Sequence, residues 1–195
     1  MTRKSTSVLA LAGSIAAAML GISTPMQAQA HMVQAPCDFI TSGGFVFMDN
    51  RAMANFSADG GCKNQEFWGS VNYVDHYSNF HLKSTKITGY LYDPANPNQR
   101  DICGMARVND SASEVMFRIH LEDNGEPGKN DRFGIVIDNW NAPVRFYVVT
   151  NRKLADGQGG GGNVQLHKGN NSNTASAAML AMQEWQMCGD LDSPQ

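Results

Sequence analysis

Hydrophobic residues recur at every second position through most of this chain, and this period of two restricts the fold more than any other feature. The clearest case is residues 114–122, where Val115, Phe117, Ile119 and Leu121 alternate with mostly polar residues. Such alternation is typical of a β-strand with one buried face. About nine short runs show it between residues 43 and 167: residues 45–48, 53–58, 67–74, 80–91, 102–108, 114–122, 133–137, 146–150 and 163–166.

Turn-forming residues separate these runs. Gly60-Gly61, residues 93–98, Asn109-Asp110 and Asn124-Gly125 are the main turn signals. The glycine run at residues 157–162 is not followed by Gly-Lys-Ser/Thr, so we expect a flexible hairpin turn rather than a phosphate-binding loop. The pattern predicts an all-β fold, an antiparallel β-sandwich or barrel of about nine short strands with a short C-terminal helix.

The N-terminal 30 residues have the features of a secretory signal peptide. Arg3 and Lys4 form a positive start, residues 8–22 are uncharged and apolar, and Ala28-Gln29-Ala30 provides small residues at a cleavage site. The apolar run is too short to span a bilayer, so we expect cleavage after Ala30 and no integral membrane segment afterwards. The mature protein is therefore predicted to be secreted or periplasmic.

The remaining chain is predicted to divide into two parts. Residues 31–168 form the β-sandwich-like domain, and residues 169–195 form a polar linker and a helical tail. Residues 175–187 are rich in helix-forming residues, and Thr174 or Ser176 provides an N-cap. We expect the tail to pack on the domain through three apolar residues: Met179, Leu180 and Trp185.

Four cysteines indicate two disulfides in an oxidising compartment. Their wide separation lacks the close pairs that are typical of zinc ligands, and three connectivities remain open. The cysteines are Cys37, Cys62, Cys103 and Cys188.

The charge pattern disfavours a nucleic-acid partner. The chain has 15 Lys and Arg against 18 Asp and Glu, a formal net charge of −3. Basic neighbours such as Arg152-Lys153 are isolated pairs rather than a continuous patch. An envelope or extracellular polymer is the partner class that fits a secreted module.

A series of segments resembles a family of small secreted bacterial β-domains, the post-COAP-like domains. The resemblance implies a compact β-sandwich-like module on exported proteins, with no catalytic role. This chain departs from the family in the loop after Tyr92, the segment 140–143, two further cysteines and the helical tail. The segments that carry the resemblance are residues 37–44, 54–56, 68–76, 80–85, 104–109, 123–128, 131–133 and 160–168.

Two alternatives assign a metal to the chain. Glu122, Asp123, Asn124 and Asp131 concentrate oxygen ligands around glycine turns, as calcium requires, although the EF-hand spacing is absent. The competing interpretation is a solvated hairpin whose side chains bond their own backbone. If cleavage exposes His31, its amine and imidazole form a copper chelate that needs a second histidine from His76, His81, His120 or His167.

No motif of nucleophilic catalysis is present, and no cofactor is expected apart from the calcium alternative. The adjacent Asp75 and His76 point to opposite faces of a strand and form no relay. Trp68, Tyr73 and Tyr77 form either an aromatic platform for sugar rings or part of the core. The sequence therefore predicts a non-catalytic exported module with a structural or binding role, with metal binding or carbohydrate binding as alternatives.

Overall fold

The computed structural model describes residues 31–32, 37–138, 146–154 and 159–194. The predicted signal peptide lies outside the described residues. Within them the chain forms ten strands and two short helices: β1 (His31–Met32), β2 (Phe39–Phe47), β3 (Met53–Lys63), β4 (Glu66–Asp75), β5 (Phe80–Asp93), β6 (Asn96–Val108), β7 (Glu114–Glu122), β8 (Arg132–Asp138), β9 (Phe146–Lys153), β10 (Gly160–His167), α1 (Ala177–Leu180) and α2 (Glu184–Cys188).

All ten strands belong to one antiparallel sheet. Its order is β10-β2-β3-β4-β5-β6-β7-β8-β9, and β1 pairs with the end of β5. The two end strands, β9 and β10, approach each other, so the sheet curls into a nearly closed barrel. The all-β prediction is confirmed. Of the two predicted architectures, the barrel is the one present, because the strands form a single continuous sheet rather than the two sheets of a sandwich.

The barrel interior is filled by the alternating apolar residues. Val115, Phe117, Ile119 and Leu121 of β7 are all buried, as their spacing predicts. The Phe133 ring stacks on Phe56 with a centroid separation of 4.0 Å. A fully buried large apolar side chain stabilises a fold by about 1.5–3 kcal/mol, and this core therefore holds the strands together.

The turn predicted at Gly60-Gly61 is wrong, because both glycines lie inside β3. The chain turns at Asn64 and Gln65, which adopt φ values of 52° and 69°. The glycines are needed for close packing instead. A Cβ at Gly60 would lie 2.7 Å from the Ile102 side chain, so only glycine lets β3 approach β6 across the interior.

A hairpin turn was expected over residues 157–162; residues 157–158 lie outside the described residues, and Gly160–Gly162 lie in β10 instead. Gly160–Gly162 pairs with residues 44–46 of β2. A Cβ at Gly162, where φ is 137°, would lie 2.3 Å from the Gly43 carbonyl oxygen. The absence of side chains thus allows β10 to lie tightly against β2.

The C-terminal segment packs on the outside of the barrel. The predicted single helix is two short helices, and the Ser176 side chain caps the first by accepting from Met179 N. Met179 is buried as predicted, but Leu180 and Trp185, the other two predicted packing residues, are 45% and 66% exposed. Met187 takes their place: its backbone carbonyl accepts from Thr88 Oγ1 at 2.6 Å.

The polar segment after Lys168 is docked rather than a loose linker. Asn173 is buried, and its Nδ2 donates to the Cys62 carbonyl at 2.9 Å. Its own carbonyl accepts from Cys37 N. Asn64 N and Gln65 N, at the β3–β4 turn, donate to carbonyls of the same segment. The tail therefore begins to contact the barrel well before its helices.

Both predicted disulfides form, and they serve different purposes. Cys37–Cys62 joins the chain before β2 to the end of β3. Cys103–Cys188 joins the outer face of β6 to the end of α2, across a sequence separation of 85. The second bond fastens the tail to the barrel. No helix among the described residues is long and apolar enough to cross a membrane.

Candidate functional site

The acidic loop between β7 and β8 closes the barrel. Asp131 is fully buried; its Oδ1 accepts from Asn124 N at 2.9 Å and its Oδ2 accepts from Val164 N of β10 at 2.7 Å. Asp123 repeats the arrangement, accepting from Gly125 N and from Leu166 N. These carboxylates bond β10 on the edge that faces away from β2. Burial raises the pKa of Asp131, and its backbone hydrogen bonds oppose that rise.

The other members of the predicted calcium set have protein partners as well. Asn124 Nδ2 donates to Glu122 Oε2 and to the Asn130 carbonyl. Glu122 also contacts His120 and Arg132. Among the described residues, no three His, Cys, Asp or Glu side chains come together as a metal site. The arrangement gives this loop a structural role, and calcium binding stays a prediction.

Three histidines lie on the outer face of the sheet, each bonded to a polar neighbour. His167 Nε2 lies 2.8 Å from Thr41 Oγ1, and His81 Nε2 lies 2.7 Å from Asn72 Oδ1. His76 Nε2 lies 2.6 Å from Asn55 Oδ1. The side chain of His31 lies outside the described residues, and only its backbone, in β1, is placed. The copper alternative therefore stays a prediction.

His120 belongs to a buried charged cluster that the sequence did not reveal. The cluster lies on the outer face of β6 and β7, under the tail. Asp101 accepts from Arg118 Nε at 2.7 Å, and its other oxygen lies 2.7 Å from His120 Nδ1. Arg118 also donates to Glu184 of α2 and to the Leu191 carbonyl. The cluster thus ties the tail to the barrel through charge-assisted hydrogen bonds.

The protonation states of the cluster follow from its contacts. Burial alone would lower the pKa of His120, but hydrogen bonds to Asp101 and Glu122 outweigh it and raise the pKa to about 9. Burial would raise the pKa of Asp101, but the hydrogen bond from His120 and the charge of Arg118 lower it. At neutral pH the cluster therefore contains an imidazolium at His120, a guanidinium at Arg118 and an ionised carboxylate at Asp101.

The proximity of Ser193, His120 and Asp101 does not make a catalytic relay. Ser193 Oγ lies 3.2 Å from His120 Nδ1, the same ring nitrogen that contacts Asp101. In a relay, the hydroxyl and the carboxylate occupy opposite ring nitrogens. A histidine that stays protonated at neutral pH also cannot act as a general base. These contacts hold the tail in place.

The three predicted aromatic residues do not form one platform. Tyr73 is fully buried and stacks near Phe133 in the interior, with ring centroids 6.0 Å apart. Tyr77 is 76% exposed in the β4–β5 turn. Trp68 lies on the outer face of β4, with its ring 5.9 Å from Phe39. The interpretation as core is therefore right for Tyr73 alone.

Trp68 instead belongs to a row of rings across four strands. His167, Phe39, Gly61 and Trp68 are neighbours in the pairing of β10, β2, β3 and β4. The Phe39 and His167 rings stack at 4.6 Å. The adjacent row contains four polar residues: Gln165, Thr41, Asp59 and Ser70. We call these two rows the outer aromatic face.

One cavity among the described residues is a groove between β4 and β5, which we call the interstrand groove. The two strands pair only where Asn72–Asp75 meets Phe80–Lys83. Beyond this ladder they diverge, leaving a cavity of about 700 Å³. This volume lies within the range of ligand pockets, roughly 300–1,000 Å³. Its lining is Gln65, Glu66, Phe67, Trp68, Gly69, Thr85, Lys86, Ile87, Thr88, Met179, Met182 and Gln186.

The groove combines an apolar base with a polar rim. Ile87 and Met179 are buried, and Phe67 and Met182 are partly buried against the same core. Glu66 and Lys86 place opposite charges on the two walls, and both residues are exposed. Methionine thioethers adapt to ligands of different shape. The groove can hold an elongated ligand with both apolar and hydrogen-bonding groups.

The sequence carried only a weak signal of this groove. Residues 80–91 alternate unevenly, and the structure has pairing irregularities between Ser84 and Lys86 and between Ile87 and Gly89. Comparisons of the chain with protein-family models, with curated proteins and with solved structures gave no match. The resemblance to the post-COAP-like domains therefore stays a prediction.

Proposed function

We propose that this chain is an exported, non-catalytic β-barrel module that binds its ligand in the interstrand groove. The groove is the observation that carries the proposal, because it is a built cavity with both apolar and polar lining. The charged cluster around His120 and the carboxylates of the acidic loop are engaged in holding the barrel and tail together. An envelope or extracellular polymer is the ligand class that we expect.

A pelleting assay with two matched variants tests the proposal. The purified exported chain is mixed with insoluble envelope material from the exporting cell, and the pelleted fraction is measured. Thr85→Trp places an indole on an exposed wall of the groove, whereas Ser113→Trp places one at an exposed site between β6 and β7. We expect Thr85→Trp to reduce the pelleted fraction at least fivefold and Ser113→Trp to leave it unchanged. Equal pelleting of both variants, or none by the wild type, contradicts the proposal.

The outer aromatic face supports carbohydrate binding as a second candidate. Trp68 and the stacked pair Phe39 and His167 border hydroxyl, amide and carboxylate groups. Sugar rings are bound by such combinations of aromatic and polar groups. Under this candidate, Trp68→Ala and His167→Ala reduce retention on an insoluble polysaccharide, whereas Thr85→Trp does not. The opposite ranking favours the groove.

Export and the metal alternatives have direct tests. The intact mass of the exported chain identifies its first residue, and we expect His31. Metal analysis of the same sample tests both alternatives: copper that is lost in His31→Ala, or calcium that is lost in Asp131→Asn. A first residue other than His31 removes the copper alternative.

A further inference from the structure

The walls of the interstrand groove are two sheet edges. Residues 66–71 of β4 pair with β3 on one side, and residues 84–91 of β5 pair with β6 on the other. These two stretches share no ladder pair with each other. Backbone N–H and C=O groups along such edges are templates for a further strand. Where the ladder ends, Val71 N donates to the Ser84 hydroxyl at 2.8 Å instead of to a strand.

The two edges differ in their ability to accept a strand. β5 has pairing irregularities at Thr85 and Thr88, Met187 of the tail lies against Thr88 and Gly89, and β1 pairs with β5 at Leu91 and Tyr92. Bulges of this kind make an edge strand less able to pair with a further strand. The register of β4 with β3 runs without interruption from Asp75 to Glu66, and the one departure from ordinary strand geometry that we note along it is the φ of 142° at Gly69. The edge of β4 is therefore the better of the two for accepting a strand.

The side chains around the β4 edge suit an extended peptide. Successive residues of a strand point to opposite sides, so alternate side chains of a bound peptide face the apolar base while the others face the rim. The base contains Phe67, Ile87, Met179 and Met182, and the rim contains hydroxyl and amide groups with one charge of each sign. A polysaccharide has no peptide backbone, so it could not form a regular strand ladder with the N–H and C=O groups of the β4 edge.

We propose that the interstrand groove binds an extended segment of another polypeptide, which adds a strand to the β4 edge at Phe67–Val71. This mode of recognition takes affinity from main-chain hydrogen bonds and specificity from the pockets for alternate side chains. The proposal rests on the function proposed above, since it names the ligand class of the same groove.

Panning a random seven-residue peptide library on the full-length chain tests the proposal. An enriched peptide is then synthesised in two forms, unmodified and N-methylated at alternate residues on the side that pairs. N-methylation removes the donors of a strand ladder and leaves the side chains intact. We expect alternating apolar residues in the enriched peptides, at least tenfold weaker binding after methylation, and slower amide exchange at Phe67 and Gly69 in the complex.

Matched variants separate the two proposals. Thr85→Trp is expected to weaken peptide binding at least tenfold, and Ser113→Trp is expected to leave it unchanged. Failure to enrich any peptide, or equal affinity of the methylated form, overturns strand addition. If envelope pelleting still depends on Thr85 in that case, the groove keeps its proposed function and only the ligand class is wrong. If Thr85→Trp affects neither assay, both proposals are wrong.

Discussion

At the scale of single residues, the buried ion cluster shows why a charged side chain on a strand does not always face solvent. Arg118 and His120 alternate with core residues of β7, a pattern that predicts solvent exposure, yet both are buried. The tail covers them and provides Glu184, the Leu191 carbonyl and Ser193 as partners. Such a cluster costs stability when one member is removed, because the remaining charges lose their partners.

The raised pKa of His120 predicts how stability depends on pH. The folded pKa is about 9, above the ordinary value of 6.5, so the imidazolium contributes its full stabilisation below about pH 6.5 and loses it as pH rises through 9. The linkage amounts to roughly 3 kcal/mol. We expect urea denaturation between pH 6 and 10 to show this loss in the wild type and a flatter profile in His120→Gln. Parallel profiles would contradict the assignment.

The hydrogen bonds of Asp131 determine how much the contact between the acidic loop and β10 contributes to stability. Its two oxygens accept two backbone N–H groups, and asparagine offers only one acceptor oxygen. We expect Asp131→Asn to lower the free energy of unfolding by about 1–3 kcal/mol. Asp110→Asn, at an exposed turn residue, is the control and should have no effect. If the loop acts through its backbone contacts alone, a chelator leaves the melting temperature of the wild type unchanged.

At the scale of elements, the sequence predicted the number and type of strands but not the contacts between distant ones. The period of two places apolar side chains on one face, which is a local property, and nearly every predicted run lies in a strand. Gly60-Gly61 and Gly160–Gly162 were interpreted as turns because local rules associate glycine with turns. Their actual role depends on partners far along the chain, Ile102 and Gly43, that no local pattern indicates.

The candidate site was less predictable than the fold for a related reason. The interstrand groove forms because two strands that pair at one end diverge at the other. Its lining comes from the start of β4, from β5 and from the tail, and five further strands separate the tail from β5 along the chain. The same holds for the aromatic residues: Trp68 and Tyr73 are five positions apart in one strand, and this odd spacing places them on opposite faces. Proximity along the chain therefore did not indicate a shared surface.

At the scale of the whole molecule, the barrel has two discontinuities, and a segment outside the sheet lies beside each. Between β9 and β10, carboxylates of the acidic loop bond the free edge of β10, and Leu154 N donates to the Asp131 carbonyl. Between β4 and β5, Met179, Met182 and Gln186 of the tail line one side of the interstrand groove, and α2 packs against β5, β6 and β7. The tail is thus part of the folding unit, and the docked part includes residues after Lys168 whose composition had suggested a polar linker.

If the tail is part of the folding unit, deleting residues 169–195 should destabilise the whole barrel. The deletion removes the Cys103–Cys188 bond, and the loss of a disulfide lowers the free energy of unfolding by about 2–5 kcal/mol. It also removes the burial of Met179, Met187 and Leu191, which contributes about 1.5–3 kcal/mol for each side chain. The sum is comparable with the total stability of a typical domain, about 5–15 kcal/mol. We therefore expect the shortened chain to lack a cooperative thermal transition.

A full-length variant separates the tail from its disulfide. Cys103→Ser with Cys188→Ser keeps the buried contacts of Met187 and the ion pairs of Arg118, so we expect it to unfold cooperatively at a reduced melting temperature. Calorimetry of the two proteins beside the wild type measures both effects. A deleted chain that melts cooperatively near the wild-type temperature would mean that the barrel is stable with the interstrand groove uncovered, and the tail would then be an accessory to an already complete domain.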